Sequence, residues 1–223
     1  SGSGPNGAIV HYRAIAGADR KLASNDLLLL DSGGHYRDGT TDITRTIAIG
    51  TPPKGAVAAY SHVLQGHIHL AMAKFPAGTN GKQLDAIARA PLWAAGLDFA
   101  HGTGHGVGHV LSVHEGPASI SKRGDVALEA GMVLSNEPGY YQTGDWGIRI
   151  ENLIVVTPAK QTGFLEFETI TLCPLDRRLI DKTLLDAGEI GWIDHYHRAV
   201  YEQLHPHLSP MAKSWLEAAC RQL

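Results

Sequence analysis

A chain of 223 residues, 43% of them hydrophobic, is long enough to fill one well-packed domain and short for two. A net charge of −3 and a pI near 6.5 argue against nucleic acid or an anionic membrane as partner, since either favours a strong basic excess. No apolar run approaches the roughly 20 residues that span a bilayer, and Ser1-Gly2-Ser3-Gly4-Pro5 lacks the charged and apolar regions of a secretion signal, so the expectation is a soluble protein.

Ala8 to Tyr12 reads as a short strand. Leu27 to Leu30, four apolar residues bounded by polar and glycine residues, is too short for a helix and predicts a buried strand that delivers Asp31 at its end. Thr41 to Ile49 continues as β-structure of alternating character, with Asp42, Thr44 and Thr46 on one face and Ile43, Ile47 and Ile49 on the other. Thr51-Pro52-Pro53 opens a helix running to about Lys74, and Asn80 caps a second that extends through Leu84, Ile87 and Ala88 towards Gly96. β-Structure returns with Val133 to Glu137, a short apolar strand ending in an acid, and with Gly147 to Thr157, a longer strand carrying Glu151. The tail from Cys173 predicts a helix over Glu189 to Leu204, on which Trp192, Tyr196 and Val200 share a packing face, and a last helix opened by Ser209-Pro210. The two cysteines, Cys173 and Cys220, form no metal or redox pattern, which predicts a reducing, cytoplasmic setting. No linker or low-complexity stretch interrupts the chain.

Twice, an apolar strand ends in a carboxylate and a second strand brings another: Asp31 then Asp42, Glu137 then Glu151, with glycine-rich turns between. Two such halves facing each other gather four acids at one place, as an internally duplicated fold does. An acid at a strand end is ordinarily a turn former or a helix cap, so Asp31 alone means little. Company changes its meaning. Asp42 projects from a strand whose other face is aliphatic, and Glu151 lies in an otherwise apolar run, where an isolated carboxylate is costly. Burying several acids together raises a repulsion that cations relieve; Arg149, two residues from Glu151 on the same face, neutralises one of the four. With His105, these carboxylates supply enough ligands for two divalent cations side by side, since a bridging carboxylate serves both. His101, His105, His109 and His114 stand between alternating glycines that rule out a stable helix. A neutral imidazole suits a metal, while its neighbours suit donation to an oxyanion or proton exchange near neutral pH. Composition does not say which does which.

Taken together, Asp31-Ser-Gly-Gly with Asp42-Ile-Thr-Arg-Thr46, His101-Gly-Thr-Gly-His105-Gly-Val-Gly, Ser135-Asn-Glu137-Pro-Gly-Tyr-Tyr141 and Gly147-Ile-Arg-Ile-Glu151-Asn resemble the dinuclear metallopeptidases of the pita-bread fold. The stretch His101 to His114 and the tail Leu172-Cys-Pro-Leu-Asp-Arg-Arg-Leu-Ile-Asp181 are similar to the Xaa-Pro aminopeptidases (aminopeptidase P) within that group, especially the long cytosolic kind, over essentially the whole chain. The resemblance implies an α+β fold, pseudo-twofold duplicated, with a curved antiparallel sheet covered by helices. It implies one catalytic domain over residues 1–223, truncated at its N-terminus so that a sheet edge is left uncovered, with a helical extension from about 173. It further implies that Asp31 binds one ion, that Asp42 and Glu151 bridge both, and that His105 and Glu137 complete the second ion's shell. Manganese is the usual metal, with zinc and cobalt in relatives. His11, His101 and His114 match the three histidines placed around substrate. His109 is expected to support the site from behind its ligands or to be structural, and His35, His62, His67 and His69 to lie at the surface or the core edge. A homodimer is implied as well.

The implied reaction removes the first residue from peptides with proline in second position. Two ions about 3.5–4 Å apart share a hydroxide that attacks the scissile carbonyl. Glu137 moves the proton, His101 or His114 donates to the oxyanion, and His11 and His114 meet the proline ring, whose nitrogen has no hydrogen to be recognised. A prolidase or a methionine aminopeptidase of the same fold, or a non-catalytic peptide-binding module, are the competing expectations. The tail and the Gly-Val-Gly-His109 spacing weigh against the first two, and the presence of all five ligands against the third.

Overall fold

Residues 1–17, 20–110 and 112–223 are described by the structure, a computed structural model. Strands β1 (Gly2–Ser3), β2 (Asp26–Tyr36) and β3 (Gly39–Ile49) form one antiparallel sheet in that order. Helix α1 (Ala56–Ala71), strand β4 (Lys74–Pro76), helix α2 (Gly81–Ala94) and the short strands β5 (Gly104–His105) and β6 (Ser119–Ile120) follow. Strands β7 (Val133–Asn136), β8 (Gly139–Gln142), β9 (Trp146–Arg149), β10 (Asn152–Pro158) and β11 (Phe164–Thr169) lead into helices α3 (Ala187–Leu204) and α4 (Pro210–Ala219). A four-stranded antiparallel sheet runs β4-β11-β10-β7, while β5 with β6 and β8 with β9 form two-stranded ladders.

Several local expectations change. Ala8 to Tyr12 is not a strand: Gly4 takes φ 51° and Pro5 fixes the next turn, so the chain coils as a 3-10 helix over Gly4–Ala8 and turns at Val10 and His11. Strand β2 does not stop at Leu30. It stays paired with β3 through Asp31↔Thr44 and Gly33↔Asp42 to Tyr36↔Gly39, so Asp31 projects from mid-strand. Glycine is what allows this continuation, because a Cβ on Gly33 would meet the Thr41 carbonyl oxygen at 2.7 Å. The first helix occupies only Ala56–Ala71: Gly55, at φ 81°, forms its N-cap, and Lys74 belongs to β4, paired with Glu166 of β11. Gly147 to Thr157 is two strands, because the ladder changes partner between them. There the Ile150 N–H donates to Pro138 O at 3.2 Å and the Glu151 N–H to Thr44 O at 3.1 Å. The second helix begins as expected, with Asn80 Oδ1 accepting from Gln83 N at 3.2 Å and Gln83 Oε1 accepting from Asn80 N at 3.0 Å.

Two apolar clusters back these sheets. One joins β2, α1, β9 and α3 through Leu27, Tyr60, Leu64, Ile148 and Val200. The other joins the end of α1, α2 and the four-stranded sheet through Leu70, Leu84, Leu134 and Ile154. Each such aliphatic side chain, fully buried, contributes roughly 1.5–3 kcal/mol. The packing face of α3 is as predicted: Trp192 stacks on Tyr196 with ring centroids 5.2 Å apart, and Val200 is fully buried. A polar clamp holds the loop after α2. Arg89, itself buried, pairs with Asp85 at 2.8 Å and donates to the carbonyls of Phe99 and His101, each at 2.7 Å.

His67 departs from expectation. It is 0% exposed, not at the core edge, and its Nε2 lies 3.1 Å from Asn152 Nδ2, which fixes that nitrogen as an acceptor and the ring as neutral. Burial, aided by the Arg45 charge, pushes its pKa down to about 3. Burial likewise lowers His197 to about 4, with Arg177 and Arg45 contributing. In an unfolded chain these rings take up protons near pH 6.5. Their contribution to stability is therefore full above about pH 6.5 and is lost as pH falls towards 4, by up to ~1.4 kcal/mol per pH unit for each group. Between about pH 7 and about pH 4, buried carboxyls whose pKa is raised drift the other way, so the difference between wild type and His67→Gln isolates the effect: wild type is expected to lose Tm relative to the variant as pH falls, and parallel Tm profiles contradict the assignment.

Candidate metal centre

Directly opposed residues of an antiparallel pair share a face, so the partners Asp31/Thr44 and Gly33/Asp42 put Asp31, Thr44 and Asp42 on one face of the β2–β3 sheet. Asn136 pairs with Asn152 at the end of the β7–β10 ladder, which sets the next residue of each strand, Glu137 and Glu151, opposite one another just beyond it. Thr44 joins the two sheets. Its carbonyl accepts the Glu151 N–H and its hydroxyl donates to Glu151 Oε2 at 2.6 Å. Strand β5 brings His105, whose N–H donates to Ser135 Oγ at 2.9 Å while that hydroxyl donates to Glu137 Oε1, also at 2.9 Å. Gly104 permits so close an approach, since a Cβ there would lie 1.9 Å from the Ser135 carbonyl oxygen.

The result is one cleft of about 520 Å³ whose walls include all five expected ligands together with Arg149, His11, His101 and His114. One donor atom each from Asp42, His105 and Glu151 lies within 4.8 Å of the others. His105 Nε2 is 3.5 Å from Asp42 Oδ2 and 3.4 Å from Glu137 Oε1. Asp31 stands on the Arg149 side of the cleft, its Oδ2 accepting from Arg149 Nη2 at 2.6 Å. Arg149, itself buried, also donates to Thr44 Oγ1 at 3.2 Å and to the Tyr141 hydroxyl at 2.9 Å.

The electrostatics are those of a site short of positive charge. Burial pushes the Glu137 carboxyl up to about 7, and burial with repulsion from Glu137 and Asp42 pushes Glu151 up to about 8. Burial opposes a charge on His105, but the Asp42 hydrogen bond, the Gly106 carbonyl and the charges of Glu137 and Glu151 outweigh it and raise the ring to about 9. A proton on Nε2 thus sits between carboxylates where a cation is favoured. His105 Nδ1 lies 3.0 Å from Gly106 O, which assigns a hydrogen to Nδ1 and turns the Nε2 lone pair towards the acids once the ring is neutral. That is the tautomer a metal-bound imidazole requires. Four carboxylates and one such nitrogen are a hard, oxygen-rich donor set that fits divalent ions.

The histidines divide. His101 Nδ1 is 2.8 Å from Gly102 O and its Nε2 is 2.9 Å from the Tyr141 hydroxyl, so both nitrogens are engaged, and burial lowers the ring to about 4. His114 stands edge-on to His105, centroids 4.2 Å apart. His11 lines both this cleft and an adjoining hollow of about 320 Å³ that shares Asp31 and Arg149 with it. His109 lines a separate groove, and its carbonyl is 3.5 Å from the Thr40 hydroxyl. His35 reaches the rim of the cleft, bonded to Thr40 Oγ1 at 3.1 Å. His62 bonds Gln65 at 3.0 Å and His69 bonds Glu189 at 2.7 Å, as surface or core-edge residues do. Leu111, within the histidine-rich run, lies outside the described residues. Sequence reasoning passed over Thr44, Ser135 and Tyr141 as participants; each sits within two to four residues of a ligand, but only the fold turns their hydroxyls towards it.

Comparison with known proteins agrees with this geometry. A model of metallopeptidase family M24 matches residues 1–158, and a model of the C-terminal region of these peptidases matches residues 163–223. The chain is 46% identical to a probable Xaa-Pro aminopeptidase P of Laccaria bicolor over 100% of its own length and 36% of that protein's. It is 47% identical to aminopeptidase P1 of Lotus japonicus, covering 98% of this chain and 34% of that protein. The chain therefore spans about a third of the length of these curated relatives. The crystal structure of an X-prolyl aminopeptidase from Caenorhabditis elegans, described as a cytosolic enzyme with a di-nuclear active site, matches with a TM-score of 0.94 at 45% identity, over 99% of this chain and 38% of that one. A prolidase from Pyrococcus furiosus matches 75% of this chain and 47% of its own at a TM-score of 0.66 and 34% identity. The architecture is the pita-bread fold, α+β, with antiparallel sheets backed by helices. By fold, by the acids gathered in its cleft and by the match over residues 1–158, the chain belongs to metallopeptidase family M24.

Proposed function

We propose that residues 1–223, with the helical extension from about 173, act as the catalytic domain of a metal-dependent aminopeptidase that hydrolyses the N-terminal Xaa-Pro bond of peptides. The observation that carries this is the convergence of Asp42, His105 and Glu151 donors within 4.8 Å in a cleft that Asp31 and Glu137 also line. The names of the relatives support the substrate class. In this proposal Asp31 would hold one ion, His105 and Glu137 the other, and Asp42 and Glu151 would serve both, with manganese suited to the oxygen-rich set. When bound, such ions lower the pKa of water and polarise a carbonyl.

The remaining steps belong to side chains. Glu137, with Oε1 held by the Ser135 hydroxyl, takes a proton at Oε2 from the attacking water and returns it to the proline nitrogen. His114 donates to the developing oxyanion, because both nitrogens of His101 are committed to Gly102 and Tyr141. His101 and Tyr141 instead hold Arg149, and through it Asp31. His11 and the face of His114 flank the proline ring.

A homodimer and a cytoplasmic location complete the proposal, the latter supported by the cytosolic description of the Caenorhabditis elegans enzyme. Among the described residues, no helix is long and apolar enough to cross a membrane. The test is hydrolysis by the Mn²⁺-loaded protein of an Xaa-Pro-Xaa peptide, its alanine counterpart and an Xaa-Pro dipeptide. Release of the first residue from the proline peptide is expected. Cleavage of the dipeptide alone would favour a prolidase, and peptide binding without turnover would favour a binding module.

A further inference from the structure

Arg45 is 5% exposed, and among the described residues no carboxylate lies within ion-pair distance of it. Its Nε donates to Pro174 O at 3.2 Å. Its Nη1 donates to Thr44 O at 2.9 Å and Glu151 O at 2.6 Å, and the two hydrogens of its Nη2 are shared among three acceptors, Asn152 Oδ1 and Cys173 O at 2.7 Å and the Tyr196 hydroxyl at 2.9 Å. A buried cation without a counter-ion is costly, and an apolar side chain of similar volume often serves stability as well. What the guanidinium adds is a rigid fork of five donors. One of its bonds grips a carbonyl that no strand supports. Glu151 lies in the break between β9 and β10, where its N–H goes to Thr44 and its C=O goes to Arg45.

The fork is itself held from the C-terminal segment. The Tyr196 hydroxyl, on α3, accepts from Arg45 Nη2 and from Cys173 N at 3.3 Å, and its one hydrogen has three acceptors in reach, Cys173 O at 2.9 Å, Thr171 O at 3.0 Å and Asn152 Oδ1 at 3.3 Å. We infer that Tyr196 and Arg45 form a positioning unit for the metal centre, through which the C-terminal helical segment sets the backbone of Glu151 and hence the direction of its carboxylate. The inference rests on the proposed metal-binding role of Glu151. Neither residue meets an ion or substrate; both act through Glu151.

The experiment is calorimetric titration of Mn²⁺ alone into the wild-type chain and into Tyr196→Phe. Losing a partner behind a metal ligand typically weakens metal affinity or activity 10–100-fold. The expected result is a rise in Kd of about 10-fold or more with an unchanged far-UV spectrum, and turnover that recovers at high Mn²⁺. Trp192→Leu is the control: it removes the ring stacked on Tyr196 but keeps the hydroxyl, so it should lower Tm and leave the Kd alone. Arg45→Lys keeps the charge without the fork, should weaken binding at least as much, and decides the matter by the same criterion if Tyr196→Phe does not fold. Equal affinity in wild type and Tyr196→Phe, or a Kd that merely tracks Tm across the variants, overturns the inference alone. A wild-type chain that binds no Mn²⁺ overturns the metal-centre proposal and this inference with it.

Discussion

Glu137→Gln is expected to lower kcat by about 10²–10⁴-fold, the usual contribution of a positioned proton carrier, while leaving the fold intact. Glutamine keeps the shape and the acceptor that the Ser135 hydroxyl uses at 2.9 Å, and the Glu137 N–H bond to Thr103 O at 2.7 Å is main-chain. What disappears is a carboxylate oxygen able to take up and release a proton. The same change removes a neighbour that raises Glu151. The metal-free variant should therefore melt no lower than wild type, while its Mn²⁺ affinity falls. Measurement at saturating Mn²⁺ separates the two effects: kcat should stay low, and a wild-type rate in the fully loaded variant would remove Glu137 from proton transfer.

Mn²⁺ binding at pH 7 is expected to expel at least one proton and to tighten as pH rises, because the ligands must shed protons to bind. His105, raised to about 9, carries a proton at pH 7 in the metal-free chain and has to lose it to offer Nε2. Glu151 and Glu137, both pushed up by burial, take up further protons more readily than exposed carboxyls do. Their folded values all lie at or above neutrality, so affinity climbs from about pH 6 towards 9 and levels off beyond. Calorimetry in buffers of different ionisation enthalpy reads the proton count directly. Heats independent of the buffer would mean that the carboxylates and the imidazole do not hold protons in the metal's place. Removing the metal with a chelator should abolish turnover.

How much of this was legible beforehand follows from the range of the interactions. The Asn80 cap, the packing face of α3 and the alternation along β3 depend on residues two to four apart, and the residues alone specify them. The inventory of acids and histidines was legible too: Asp31, Asp42, Glu137, Glu151, His11, His101, His105 and His114 reach one cleft, while His109 lines another groove. The alternation carried a surprise of sign, however. On β3 the polar face with Asp42, Thr44 and Thr46 is the buried one, while Ile43, Ile47 and Ile49 are only partly covered. A strand period reports that two faces differ, not which of them the rest of the chain covers.

Other features needed the whole fold. The break at Glu151 arises because Thr44, 107 residues away, offers its carbonyl and hydroxyl there; nothing in Gly147 to Thr157 marks the switch. Buried His67 and the arginine fork of Arg45 are set by Asn152 and Tyr196, 85 and 151 residues away. The sequence by itself determined which chemical groups this protein has and the short-range elements that present them, because periodicity and capping act over a single turn or pleat. Only tertiary structure decided which carboxylate faces which, which imidazole nitrogen is free and which hydroxyl holds an arginine in place, because those choices depend on hydrogen bonds between segments a hundred residues apart and on the burial that makes such bonds obligatory.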